Sequence, residues 1–497
     1  MKTKVYKNGA LLLYRKRRRK KATAVVAGFI YGNNRTNYPE PTAHFCEHMF
    51  FNETETKDKT ALKDAQLNTF ASYNGRTSLW WTEIDFFRAN SALEPCFQLA
   101  SEMLLKTKFS KEVVDNEKGV IKQELVRRLT NTNSKFSFAR LRTLYKKHGN
   151  PTSNLGSAEE IDAMTPEDLQ RFRDDCFISQ NFFIAIEGGI SFAKAKKLAE
   201  KHFINQLKSN PAYPVEHSVT FGAFDQKGNL LVEEDTIKKS MCTITFNLDI
   251  PEDETKDTQT AKLLCQITNH LKGKLHSILR DEKGLVYSAN MYYDSQKDQP
   301  CIGFNFECSN ENTNKVIDEI GKLLQEYRTQ PFETSLLDLH KHNTILAEDE
   351  SQPRPIYPSR WFAEYFIFGE EIFTKKYKKT RKKAYQALTP EDLLTFCQKA
   401  FSKPSNLYVT IMSNAPAETF YDYKTMQDIL VKGKTPKKKS ASTEKLKKQP
   451  TKLKQKVSKA KEKTATASKA AVSKKTTETT KVSSAKKTTS AKAKKAE

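Results

Sequence analysis

The chain has 497 residues and a formal net charge of +25, from 84 Lys and Arg against 59 Asp and Glu; a chain of this length suggests roughly two to four domains. Its eight cysteines are scattered without CxxC spacing, which argues against a disulfide framework and for reduced thiols. No apolar run approaches the ~20 residues of a membrane span, and the one at Ala10–Tyr14 is too short for a signal peptide, so a cytoplasmic protein is expected.

In chain order, the first feature is the basic run RKRRRKK (Arg15–Lys21), set between two apolar, strand-like segments. It reads as an exposed hairpin turn; a nuclear address or a polyanion patch is the alternative. The strand-like TAVVAGFIYG (Thr23–Gly32) follows, and then PEPTAHFCEHMFF, whose pattern after the prolines suits a helix. His44 and His48 stand at i and i+4, so both imidazoles leave one helical face and can share one metal ion. Glu47 lies beside that face, placed to take a proton from a water that the metal activates. The pattern is H-x-x-E-H, the inverse of H-E-x-x-H, and chance supplies about 0.01 such motifs in a chain of this composition. Cys46, inside the motif, is expected as a small apolar filler; a thiol that makes activity sensitive to alkylation is the sharper alternative.

A catalytic zinc takes a third protein ligand. DNEKGVIKQELVRR (Asp115–Arg128) offers Glu117 and Glu124, seven residues apart and so on one helical face, with Val120 and Ile121 as an apolar side. One of these acids can ligate while the other orients a histidine or the water.

Further on, TPEDLQRF (Thr165–Phe172) returns as TPEDLLTF (Thr389–Phe396). Each is a helix start with a Thr N-cap, Pro at the first position and acids in the first turn. Each precedes a strand-like run, NFFIAIEGG from Asn181 and NLYVTIMSN from Asn406. This is an internal duplication. The expected fold class is α+β: two homologous αβ sandwich domains of mostly antiparallel sheet packed by helices, residues 1–210 and 218–432. They join near SNPAYPVEHSVT (Ser209–Thr220), and the second opens with SMCTITFNLDI (Ser240–Ile250). From Gly433 to Glu497 there are 22 lysines, four acids and no Phe, Tyr or Trp, a net of +18 that leaves +7 for the rest. This 433–497 tail, rich in Lys, Ala, Ser and Thr, is expected to be disordered and able to bind a polyanion such as nucleic acid or an acidic surface.

Taken together, these residues resemble the pitrilysin/insulinase family of zinc metallopeptidases, in its two-domain, mitochondrial-processing-peptidase-like form. HFCEHMFF is similar to the family's zinc helix, and NEKGVIKQE to its third-ligand helix. The resemblance implies one Zn²⁺ per chain held by His44, His48 and Glu124, with Glu117 supporting a ligand and Glu47 as general base. NTFASYNGRTSLWWTEIDFF (Asn68–Phe87) resembles the substrate-binding edge strand, with Asn74 and Thr77 at its Asn-x-x-Thr and Gly75 where Ala is common. LRDEKGLVYS (Leu279–Ser288) resembles the family's Arg…Tyr motif, which assigns Arg280 and Tyr287 to the substrate backbone and the oxyanion. The family's FKGT-like run after the zinc helix reads FNET here (Phe51–Thr54). The resemblance implies an endopeptidase acting on peptides or unfolded segments inside a clamshell chamber made of two domain pairs. It therefore implies a homodimer, or a heterodimer with a related subunit; a catalytically silent peptide-binding or scaffolding subunit is the alternative.

Overall fold

The computed structural model describes residues 1–17, 20–32, 38–78, 80–144, 154–210, 228–248, 256–270, 273–294, 300–350 and 358–434. The Lys-rich tail beyond Lys434 and most of the expected join at Ser209–Thr220 lie outside the described residues.

The apolar runs form two sheets. The first contains β1 (Lys2–Val5), β2 (Leu11–Lys16), β3 (Ala22–Phe29), β4 (Ser72–Thr77), β5 (Thr82–Ala89) and β6 (Phe182–Gly188), in the spatial order β1-β2-β6-β3-β5-β4. The second contains β7 (Gly228–Glu233), β8 (Ser240–Asn247), β9 (Val286–Asp294), β10 (Cys301–Cys308) and β11 (Leu407–Ser413), in the order β7-β11-β8-β10-β9. With β1 set aside, the two orders are one topology used twice. Each sheet has a single parallel pair, β2 with β6 and β7 with β11, and every other pair is antiparallel. The repeated TPEDL words are matched helix starts. Thr165 and Thr389 each cap their helix, Pro166–Cys176 and Pro390–Ala400, and Asp168 and Asp392 answer in reciprocal capping boxes.

The hairpin expected at Arg15–Lys21 is not formed. Strand β6 lies between β2 and β3, so the two strands that flank the basic run are not paired with each other. Arg17 Nε donates to Glu187 Oε1 at 2.5 Å, and Arg15 Nε lies 3.8 Å from the same oxygen, so part of the positive charge is neutralised locally.

Strands β6 and β11 are buried along their whole length, as strands covered on both faces must be. On the inner face of the first sheet, Phe182, Ile184 and Ile186 join a core with the helices of their own half. On the outer face, Phe183 and Ala185 pack under Trp361 and Phe362, from the helix Pro358–Phe368 of the other half. Phe362 stacks on Phe183 with ring planes 6° apart, and Trp361 Nε1 donates to the buried Glu187 at 3.0 Å. The cover is reciprocal. The first half's helix Thr132–Leu144 lies on the outer face of the second sheet, with Phe136 against Met241 and Met412 and Leu144 against Tyr408. Thr410 donates to Thr143 at 3.0 Å, and Lys135 pairs with Glu234 at 2.7 Å. Each half therefore supplies the outer layer of the other.

Phe362→Ala should open a cavity over the first sheet and cost about 3–5 kcal/mol. Urea unfolding measures this, and a loss under about 1 kcal/mol would show that the helix is not a structural layer.

Candidate metal centre

The helix Thr42–Met49 turns Phe45, Cys46 and Met49, none of them exposed, into the first core. That leaves His44, Glu47 and His48 on the side packed against β4 and the helix Lys111–Thr130. Cys46 is the filler: burial pushes its thiol well above the ordinary range, so it stays protonated.

The helix Lys111–Thr130 buries Val114, Glu117, Ile121 and Leu125, a stripe at i, i+3, i+7 and i+11. Val120, read above as part of that apolar side, falls one position outside the stripe and is 49% exposed. Glu117 occupies an apolar position, where an unpaired carboxylate is costly. It is paired at both oxygens, with His48 Nδ1 at 2.8 Å and Asn52 Nδ2 at 3.2 Å. Because Glu117 takes Nδ1, His48 presents Nε2, 3.6 Å from Glu124 Oε2. His44 Nε2 lies 3.8 Å from the same oxygen. The other oxygen of Glu124 is held by Arg128 Nη2 at 3.1 Å.

The donor atoms of His44, His48 and Glu124 all lie within 4.8 Å of one another, the one such group among the described residues. Donors on a tetrahedral zinc, about 2.0–2.2 Å from it, stand roughly 3.3–3.6 Å apart. Two imidazoles and a carboxylate with these separations suit zinc, and a small inward movement completes the triangle. His44 Nδ1 is buried and has no partner among the described residues, so only His48 has its ring set by a hydrogen bond.

The charges are arranged unequally. Burial, then neighbouring His48, push His44 down to about 3, so it is neutral. Burial also pulls on His48, but the Glu117 and Glu124 carboxylates outweigh it and raise it to about 9. His48 in turn holds Glu124 down to about 2, helped by His44 and Arg128 against partial burial. Burial raises Glu47 above the usual carboxylate range, against the pull of the Thr77 hydroxyl.

Glu47 is 8% exposed and rests on the inner face of β4. Thr77 Oγ1 donates to Glu47 Oε2 at 2.9 Å, so this side chain is held against the acid. A Cβ on Gly75 would meet Glu47 Oε1 at 2.5 Å, so the glycine makes room for the carboxylate. Alternation along β4 turns Asn74 outward, exposed, on what is the edge strand of its sheet. Two residues with no part in the motif complete the setting. Arg128 Nη1 donates to Asn154 Oδ1 at 2.5 Å, and Asn154 Nδ2 donates to the Thr77 carbonyl at 3.2 Å. Glu124 and Glu47 are thus tied through Arg128, Asn154 and Thr77. Arg128, four residues after Glu124, was readable as a helical ion pair; Asn154 had no local signal.

Arg280 and Tyr287 make no described contact with this cluster. Arg280 lies in the π-helical turn Ser277–Glu282, with Nη1 3.2 Å from His276 Nε2 and its guanidinium 5.6 Å from the Tyr287 ring centre. Tyr287 is 84% exposed, in β9, the edge strand of the second sheet. The contacts described for the pair are with each other and with His276, not with the His/Glu cluster.

Comparison with known proteins bears on the family. A family model described as "Insulinase (Peptidase family M16)" matches residues 32–154, which contain every member of the cluster. A second, "Peptidase M16 inactive domain", matches residues 163–344. The "Probable mitochondrial-processing peptidase subunit beta" of Schizosaccharomyces pombe is 31% identical over 164 residues, 32% of this chain and 35% of that protein. The "Uncharacterized zinc protease YmxG" of Bacillus subtilis is 23% identical over 266 residues, 52% of this chain and 61% of that one. Both matches span less than two thirds of the relative's length. Among solved structures, the periplasmic protease PqqL from Escherichia coli has a TM-score of 0.74 at 18% identity, covering 89% of this chain and 51% of that one. A protease from Helicobacter pylori has a TM-score of 0.70 at 17% identity, covering 83% and 99%. At these identities the structural likeness shows the fold. Among the described residues, no helix is long and apolar enough to cross a membrane.

In the metal-free protein His48 is protonated up to about pH 9 while His44 is already neutral. Zinc uptake near pH 7 should therefore release one proton, and affinity should rise with pH until about 9. Calorimetry in buffers of different ionisation enthalpy counts the protons; none, or two, would contradict the assignment. The same raised value stabilises the metal-free fold fully below the ordinary histidine value of 6.5, and that contribution fades as pH climbs through about 9.

Proposed function

We propose that this chain, which belongs to the insulinase family of peptidases, is a zinc-dependent endopeptidase acting on peptides or unfolded polypeptide segments. The observation that carries the reading is the convergence of His44, His48 and Glu124, with Glu47 buried beside them. His44, His48 and Glu124 would hold one Zn²⁺, and when bound it supplies a Lewis acid that polarises the scissile carbonyl and acidifies water.

The chain's own residues do the rest. Glu47 Oε1, the oxygen not bonded to Thr77, accepts the proton of the attacking water and then delivers it to the leaving amine nitrogen. Burial raises the proton affinity of Glu47 toward neutrality, which suits a group that must both take and return a proton. Glu117 keeps His48 oriented, and Arg128 keeps Glu124 presenting one oxygen. The edge strand β4, with Asn74 outward, can accept an extended substrate as an added strand, so that backbone is read more than sequence.

Arg280 and Tyr287 belong, by the family resemblance, to recognition of the substrate backbone. No contact described for either residue reaches the cluster, and the resemblance implies a chamber whose opposite wall is another two-domain chain. That chain is either a second copy or an unlike related subunit; relatives named as beta subunits favour the unlike subunit.

Glu47→Gln should keep its zinc and lose about 10²–10⁴ of the cleavage rate on a quenched unstructured peptide. Metal content and turnover are measured on the same sample, with the purified chain alone and with a chelator. Undiminished turnover in zinc-loaded Glu47→Gln removes the base assignment. Full zinc without cleavage by the native chain favours the silent-subunit reading.

A further inference from the structure

The turn after the metal helix, Phe51-Asn52-Glu53-Thr54, departs from the family's usual run at Asn52 and Glu53. Both residues reach the segment that carries Glu117 and Glu124. Glu53, 7% exposed, accepts the Ser110 N–H through Oε1 at 2.7 Å, at the start of the helix Lys111–Thr130. Its carbonyl accepts the Lys108 N–H at 3.1 Å, and Thr54 forms a β-bridge with Thr107. The turn and the approach to the ligand helix are therefore stitched together along their backbones.

Asn52 acts further in. It is 5% exposed, and its Nδ2 donates both to the His48 carbonyl at 2.9 Å and to Glu117 Oε2 at 3.2 Å. Glu117 Oε1 receives His48 Nδ1 at 2.8 Å. The three residues form a closed ring: His48 backbone, Asn52 amide, Glu117 carboxylate, His48 imidazole. A carboxylate held at one oxygen can swing about its Cγ–Cδ bond; held at both, it fixes the plane of the imidazole it bonds. His44, whose Nδ1 has no partner among the described residues, lacks such a ring.

We infer that Asn52 is a positioning residue: by holding Glu117 at its second oxygen it aims His48 Nε2 at Glu124, and so sets the affinity and geometry with which this chain holds its metal. The inference rests on the reading of His44, His48 and Glu124 as metal ligands. Asn52 is assigned no contact with metal or substrate; it touches the His48 carbonyl and Glu117, and only the Glu117 path reaches the His48 imidazole.

The test uses the full chain loaded with Co²⁺, measuring affinity by chelator competition and geometry by visible absorption. Asn52→Leu removes the donor at similar volume. Asn52→Asp keeps the shape, cannot donate, and sets a like charge against Glu117. Loss of a group that supports a metal ligand typically weakens binding 10–100-fold, so each variant should lose about tenfold and shift the absorption band. In a Glu117→Leu background, which has no acceptor left for either partner, Asn52→Leu should add less than a twofold loss, because the path it acts through is already cut. Unchanged affinity and spectrum in folded Asn52→Asp overturns the inference, as does a full tenfold loss added on top of Glu117→Leu. A native chain that binds no Co²⁺ overturns the metal reading itself, and this inference with it.

Discussion

The centre depends on one buried ion pair, Glu117 with His48. The carboxylate sits where the helix pattern calls for an apolar side chain, so the fold must supply partners or lose stability. It supplies an imidazole on one oxygen and an amide on the other. That arrangement consumes one nitrogen of His48 and directs the other outward. The pair thus locks two helices that are distant in sequence and selects the ring atom that faces Glu124.

Around it, the duplicated architecture is used unequally. Both halves share a topology and a capped helix before their last strand, but the H-x-x-E-H helix occurs only in the first. The second half gives the first a helical layer, Trp361 and Phe362 over Phe183, and receives one in return. The helix that covers the second sheet, Thr132–Leu144, follows the helix of Glu117 and Glu124 after a single residue. A shift between the halves would therefore pull on the end of a ligand-bearing helix. Packing between the halves and the geometry of the candidate centre are consequently linked.

The fold class and the residues that converge in the candidate centre were legible because each rests on a short-range pattern. Two histidines one turn apart, acids seven apart, and a Thr-Pro-Glu-Asp helix start are spelled out within a few residues. The basic run at Arg15–Lys21 was misread as a hairpin because the strand that separates β2 from β3 arrives about 160 residues later. Thr77 was legible as part of an edge strand, but not that its hydroxyl turns to Glu47. Asn52 and Asn154 carried no local signal, since an amide acquires a role only from what it faces.

By itself, the sequence determined the duplication, the αβ character of each half and which two histidines and two acids share helical faces, because helical and strand periodicity place side chains on faces without reference to the rest of the chain. Tertiary structure alone decided which acid meets which imidazole, where Glu47 rests, and which half covers which sheet. Those outcomes depend on contacts between segments tens to hundreds of residues apart. There, burial makes every polar group find a partner, and no local pattern can name that partner in advance.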